Sequence, residues 1–115
     1  MADAQPSSSV VRETERRLHA RYTVRVQIEI HQEGSEVPLC LETTDLSRGG
    51  CYVQMMIPLA TGIRLRGMMW LDGCPAAFRG LVVTRHPQFG NGIMFVEFEG
   101  EGERVLKRYL DAIVR

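Results

Sequence analysis

From Tyr22 the chain alternates apolar and polar residues with a period of two. Val24, Val26, Ile28 and Ile30 fall on one face, and Thr23, Arg25, Gln27 and Glu29 on the other. Successive side chains of an extended chain point to opposite faces, so this pattern predicts a half-buried β-strand. The polar run around Gly34 reads as a turn, and Val37, Leu39 and Leu41 repeat the alternation, which predicts an antiparallel partner closing a hairpin. Cys51, Val53 and Met55 alternate again until Pro58 breaks the strand, and Ile63 to Leu71 is a fourth apolar run closed by the turn pair Asp72-Gly73. Phe78 to Arg85 predicts a fifth strand, His86-Pro87 and Gly90-Asn91-Gly92 the next turn, and Ile93 to Phe98 a sixth. Six short strands at even spacing favour a closed barrel.

The period then changes. Val105, Leu106, Tyr109, Leu110, Ile113 and Val114 fall on one helical face, with Arg104, Lys107, Arg108 and Asp111 elsewhere, which predicts an amphipathic helix capping the barrel. Glu101 and Glu103 near its start and Arg115 at its end suit the helix dipole. The expected fold class is therefore all-β with a C-terminal helix, in the form of a six-stranded antiparallel β-barrel. The opening residues are small and polar and bury too little apolar surface to offset the entropy of ordering. Residues 1–15 are expected to be a flexible tail and residues 16–115 the domain.

Composition narrows the class of function. At 115 residues the length matches one compact domain, since domains commonly hold about 100 to 150 residues. Lys and Arg total 14 and so do Asp and Glu, so no net field draws in a long polyanion or an acidic membrane, which argues against general nucleic-acid binding. Sparse aromatics, 7% of residues, argue against a stacking groove for single strands. No run approaches the roughly 20 apolar residues of a membrane span, and the N-terminal segment lacks signal-peptide features, so a cytoplasmic location is expected. Cys40, Cys51 and Cys74 have neither CxxC spacing nor a zinc pattern, and are expected to be reduced and mostly buried, with no metal and no cofactor. Ser47 is not in a nucleophile elbow and His19, His31 and His86 show no triad spacing, so the chain does not read as an enzyme.

Two clusters carry candidate chemistry. Arg16, Arg17 and Arg21 precede the first strand, and Asp45-Leu46-Ser47-Arg48-Gly49-Gly50 joins the second to the third. In an antiparallel hairpin the start of the first strand and the end of the second share one end, so the two clusters should converge. A guanidinium can grip the O6 and N7 edge of guanine bidentately, stack on a purine, or clamp a phosphate. Asp45 is acceptor-only when ionised and suits the N1–H and N2–H₂ donors on the other edge of guanine, with Ser47 free to donate or accept beside it. Gly49 and Gly50 permit positive φ and close approach of a ligand to main-chain N–H groups. Micromolar affinity is about −8.2 kcal/mol, and with charge-assisted bonds at about 1.5 to 3 kcal/mol each and stacking at about 1 to 3 per base, three or four such contacts can exceed the ordering cost. Each cluster taken singly also has a plain structural reading, as a solvated charged arm or as an Asx-type turn.

In order and spacing these residues resemble the PilZ domain family, whose pattern is RxxxR followed some twenty to thirty residues later by (D/N)xSxxG on a six-stranded barrel. The two motifs read Arg17-Leu18-His19-Ala20-Arg21 and Asp45-Leu46-Ser47-Arg48-Gly49-Gly50, and the resemblance runs from about residue 16 to 115. It implies that the chain is a receptor for cyclic di-GMP, with Arg17 and Arg21 binding phosphate and guanine and with Asp45, Ser47 and Gly50 surrounding a guanine, Gly49 supporting. Arg16, just before RxxxR, implies the variant that holds two stacked, intercalated ligand molecules. A ligand-ordered arm would then be read by an unidentified downstream protein. The alternative is a protein-interaction barrel of the same fold that does not use the ligand, with Met55-Met56 and Met68-Met69 beside Trp70 as an adaptable patch or as core filling.

Overall fold

A computed structural model describes residues 19–113 of the chain. The tail expected over residues 1–15 lies outside that range, as do Arg16 and Arg17. The elements are β1 (Gln27–Gln32), β2 (Leu39–Leu46), β3 (Gly50–Gln54), β4 (Arg64–Leu71), β5 (Cys74–His86), β6 (Gly90–Glu99) and α1 (Gly102–Ile113). The strands close into an antiparallel barrel in the order β1-β2-β3-β6-β5-β4, with β4 returning to pair with β1. Among the described residues closure leaves no unpaired edge strand, which removes the principal aggregation hazard of a small sheet.

The inward positions are those the period-two pattern selects. Ile28 and Ile30 from β1, Val53 from β3, Met69 and Leu71 from β4, Phe78 and Val82 from β5 and Ile93 from β6 are all buried. Phe78 and Phe95 meet edge to face with centroids 4.8 Å apart, an arrangement that matches positive ring edge to negative ring face. Leu106 and Leu110 of α1 are buried in the same core, and Val105, Tyr109 and Ile113 pack against it. The expected helix face docks through Val105, Leu106, Tyr109, Leu110 and Ile113, while Val114 and Arg115 lie outside the described residues.

Turn chemistry sets the registers. Asp72 (φ 54) and Gly73 (φ 82) both occupy the left-handed region, so β4 and β5 are joined by a two-residue turn that follows the strand twist and places Cys74 directly opposite Leu71. This is why β5 begins at Cys74, earlier than the apolar run beginning at Phe78 indicates. The segment Gly90-Asn91-Gly92 is the start of β6 and not a turn; the reversal lies at His86 to Phe89, where the Phe89 N–H donates to the His86 carbonyl (2.9 Å). Asn91 points into the barrel, fully buried, and its amide is satisfied there: Oδ1 accepts from Leu59 N–H (2.8 Å), and Nδ2 donates to the carbonyls of Leu59 (2.9 Å) and Thr84 (3.1 Å). A buried amide is tolerated when its donors and acceptor are all matched.

Two further expectations are corrected. Val37 is 69% exposed, because β2 starts only after Pro38, which has no N–H to give to a ladder. Of the cysteines only Cys51 is buried; Cys74 is half-buried and Cys40, on the outer face of β2, is exposed. Met69 fills core, whereas Met56 is 78% exposed.

Candidate functional site

The residues before β1 run beside the end of β2 without forming a regular ladder. Tyr22 and Leu46 exchange both backbone hydrogen bonds, each 2.9 Å, and Thr43 N–H donates to the Val26 carbonyl (3.0 Å). The Thr43 side chain is fully buried and completes the junction: its hydroxyl donates to the Val24 carbonyl (2.8 Å) and accepts from Val26 N–H (3.1 Å). Opposite β3, the pairing runs Thr43 with Val53 and then Asp45 with Tyr52, so Thr44 is the extra residue of a β-bulge. A bulge reverses which face the following residues address. Leu46 consequently turns into the core, and Asp45 turns out beside Tyr52.

Arg21, one residue before the Tyr22 bridge, is thereby held against that carboxylate. Its Nη2 lies 3.9 Å from Asp45 Oδ1, with the two side chains 52% and 28% exposed. The separation exceeds hydrogen-bond range. An ion pair this open contributes on the order of 0 to 1 kcal/mol, so it costs a ligand little to part it. Neither side chain has a hydrogen-bond partner among the described residues, so donors and acceptors of opposite sign stand side by side.

The turn that follows is built around Ser47, which is buried. Its hydroxyl donates to the Gly50 carbonyl (3.2 Å) and accepts from the N–H groups of Gly49 (3.1 Å) and Gly50 (3.1 Å), while Ser47 N–H also donates to the Gly50 carbonyl (2.8 Å). A hydroxyl has one donor and two acceptor positions, and all three are taken. Ser47 therefore shapes the turn in this arrangement, and is not free to address a ligand beside Asp45. For the same reason the N–H groups of Gly49 and Gly50 are not available to an anion.

The expected positive φ is found at neither glycine. Gly50 is required for another reason: a Cβ there would fall 2.3 Å from the Ile93 carbonyl oxygen, so the missing side chain lets β3 lie against β6. Gly49 makes room for His19, the middle residue of the RxxxR segment. The structure thus brings Arg21, Asp45, Ser47, Gly49 and Gly50 to one end of the β2–β3 hairpin, which is the convergence that the antiparallel geometry predicts for the described part of the arm.

Sequence reasoning passes over the neighbours on the outer face. Tyr52 stands opposite Asp45, and its hydroxyl shares a hydrogen bond with His86 Nδ1 (2.9 Å), the rings lying 5.7 Å apart and tilted by 31°. Partial burial and the Asp45 charge both raise the Tyr52 pKa, so the phenol stays neutral at physiological pH. Behind the face, burial and then the same charge push the Cys51 thiol up to about 12. A separate open groove of about 700 Å³ runs along Arg25, Glu42, Trp70, Met55 and Met56 and includes none of the residues of the turn. In this groove Arg25 is paired with Glu42 at 3.7 Å.

Comparison with known proteins agrees with this architecture. A family model described as PilZ domain matches residues 15–112. Among solved structures, the PilZ domain of CeSA from a cellulose-synthesizing bacterium superposes with a TM-score of 0.65 at 18% identity, over 83% of this chain and 98% of that one. The Bacillus subtilis inhibitor of motility MotI/DgrA superposes with a TM-score of 0.68 at 14% identity, over 84% of this chain and 50% of that one, so the present chain corresponds to half of its length. At these identities the likeness is one of fold. No curated protein matches the chain.

Proposed function

The chain belongs to the PilZ domain family, whose members are ligand-binding effector domains and not enzymes, and from that premise we propose that it is a cytoplasmic receptor for cyclic di-GMP. The reading is supported above all by one observation: Arg21 and Asp45, a cation and an anion with no hydrogen-bond partner for either side chain among the described residues, face each other at 3.9 Å on the outside of the barrel. Guanine is a ligand of matching polarity. Its N1–H and N2–H₂ donors suit the carboxylate, and its O6 and N7 acceptors, or a phosphate, suit the guanidinium. Adenine presents no such donor pair to a carboxylate. Arg17 adds a second guanidinium to the arm, and Arg16 supports two intercalated ligand molecules. Ser47, Gly49 and Gly50 act by holding the turn in shape.

Ligand gripped between arm and turn bridges the arginines to the Asp45 turn and creates a surface that a downstream protein reads. A second reading, a protein-interaction barrel that does not use the ligand, is favoured by Met56, Ile57 and Phe89. These are 78%, 82% and 67% exposed and are joined by the bond from Met55 N–H to the Phe89 carbonyl at the far end of β3. Calorimetric titration with cyclic di-GMP, cyclic di-AMP and GTP separates the two. Saturable heat with cyclic di-GMP alone, at a stoichiometry near two, supports the receptor; no heat with any of them leaves the interaction barrel.

A further inference from the structure

The ring of His19 occupies the space that a side chain at Gly49 would fill. A Cβ built on Gly49 would stand 2.9 Å from His19 Cδ2 and 3.5 Å from its Cγ and Nε2, and the three nearest atoms all belong to this one ring. Ordinary carbon contacts lie at about 3.5 to 4.0 Å, so ring and side chain exclude each other. Among the described residues neither backbone conformation nor a main-chain clash accounts for the glycine. Its φ is not positive, and no backbone atom is among those three nearest.

Gly49 is itself firmly placed. Its N–H donates to Ser47 Oγ (3.1 Å), and its carbonyl accepts from Phe95 N–H (2.9 Å) in β6. A ring seated on Gly49 is therefore referenced to the barrel wall. His19 Nδ1 is buried with no hydrogen-bond partner among the described residues, and the described contact of the ring is its fit against Gly49.

We propose that His19 is the positioning residue of the arm: it seats in the Gly49 notch and so sets Arg21, two residues on, beside Asp45. The arm then has two fixed points flanking Arg21, the His19 ring and the Tyr22–Leu46 bridge. Without the first, Arg21 is anchored on one side only, and a ligand must order what the notch otherwise orders. The effect on affinity rests on the receptor reading above; the seating itself does not.

The test is a double-mutant cycle on the full chain with His19→Ala, Gly49→Ala and both together. The readouts are exchange of the Tyr22 amide, which donates to the Leu46 carbonyl, in ligand-free protein and the dissociation constant for cyclic di-GMP. Each single variant is expected to speed exchange at the Tyr22 amide and to weaken binding about threefold to tenfold, the range expected when one side chain must be newly immobilised. The double variant is expected to be no worse than either single, because the methyl that Gly49→Ala adds acts only by displacing the His19 ring. Exchange in the core amides of β5 stays unchanged in all three, which a general loss of stability would not allow. Additive effects, or single variants that leave Tyr22 exchange as it is, overturn the proposal. If wild-type protein ignores cyclic di-GMP, the receptor reading fails, and the exchange cycle still judges the latch.

Discussion

Arg21 and Asp45 are neighbours because Thr43 is buried. The Thr43 hydroxyl ties the arm at Val24 and Val26, and the bulge at Thr44 turns Asp45 outward to meet the guanidinium 3.9 Å away. The site is thus a consequence of one polar residue inside the barrel wall, and its energetics divide between groups that hold the shape and groups left open.

Arg21 belongs to the open class. Arg21→Ala is expected to weaken cyclic di-GMP binding about tenfold to a hundredfold, from the loss of one charge-assisted contact worth roughly 1.5 to 3 kcal/mol. Folding stability should change by less than about 1 kcal/mol, since the pair with Asp45 is long and solvated. Calorimetry and urea unfolding on the same variant check both halves.

Thr43 belongs to the shape class. Thr43→Val keeps the volume and strands the Val24 carbonyl and Val26 N–H without partners, a loss of roughly 1 to 3 kcal/mol. Urea unfolding is expected to show the lowered midpoint, and ligand binding should weaken although Thr43 touches no ligand. A variant as stable as the parent would mean that water or a shifted backbone replaces the hydroxyl.

The two glycines of the turn should part company. Gly50→Ala sets a methyl against the Ile93 carbonyl, a backbone atom that cannot swing aside, and is expected to cost about 1 to 3 kcal/mol or more in stability by forcing β3 from β6. Gly49→Ala meets only a side chain able to move, and thermal unfolding should register far less.

How much of this was legible varies with the kind of interaction. The barrel and helix follow from periodicity, since Ile28, Ile30 and Val53 are buried where alternation puts them. The bulge also left a trace: Leu39 and Leu41 are odd-numbered, Leu46 is even, and an inward face cannot change parity without an extra residue. The role of Ser47 was not legible, because a hydroxyl serves a turn or a ligand equally well and only the positions of Gly49 and Gly50 decide. Nor was the strand at Gly90-Asn91-Gly92, whose composition is that of a turn while its Asn is matched by Leu59, some thirty positions earlier in the chain.

Alkaline pH should expose the buried thiol. Burial first, and the Asp45 charge second, raise the Cys51 pKa from near 9.0 to about 12 in the folded protein. Above pH 9 the unfolded chain loses this proton while the folded one keeps it, so the unfolded state is favoured as pH rises. Cys51 thus contributes stability that is complete below about pH 9 and declines between there and about pH 12. Urea midpoints measured from pH 8 to 11 should fall more steeply for the parent than for Cys51→Ala. At neutral pH a thiol reagent should label Cys40 first and Cys51 only on unfolding.

The central claim is that guanine edges and phosphate are gripped between the arm and the turn. It is tested most directly by following backbone amide resonances of the full chain during titration with cyclic di-GMP. Saturable shifts concentrated at Arg21, Asp45 and Ser47 to Gly50, with Met56 and Phe89 at the other end of β3 unmoved, are the predicted result. Resonances at Arg21 and Asp45 that stay in place at high micromolar ligand would contradict it.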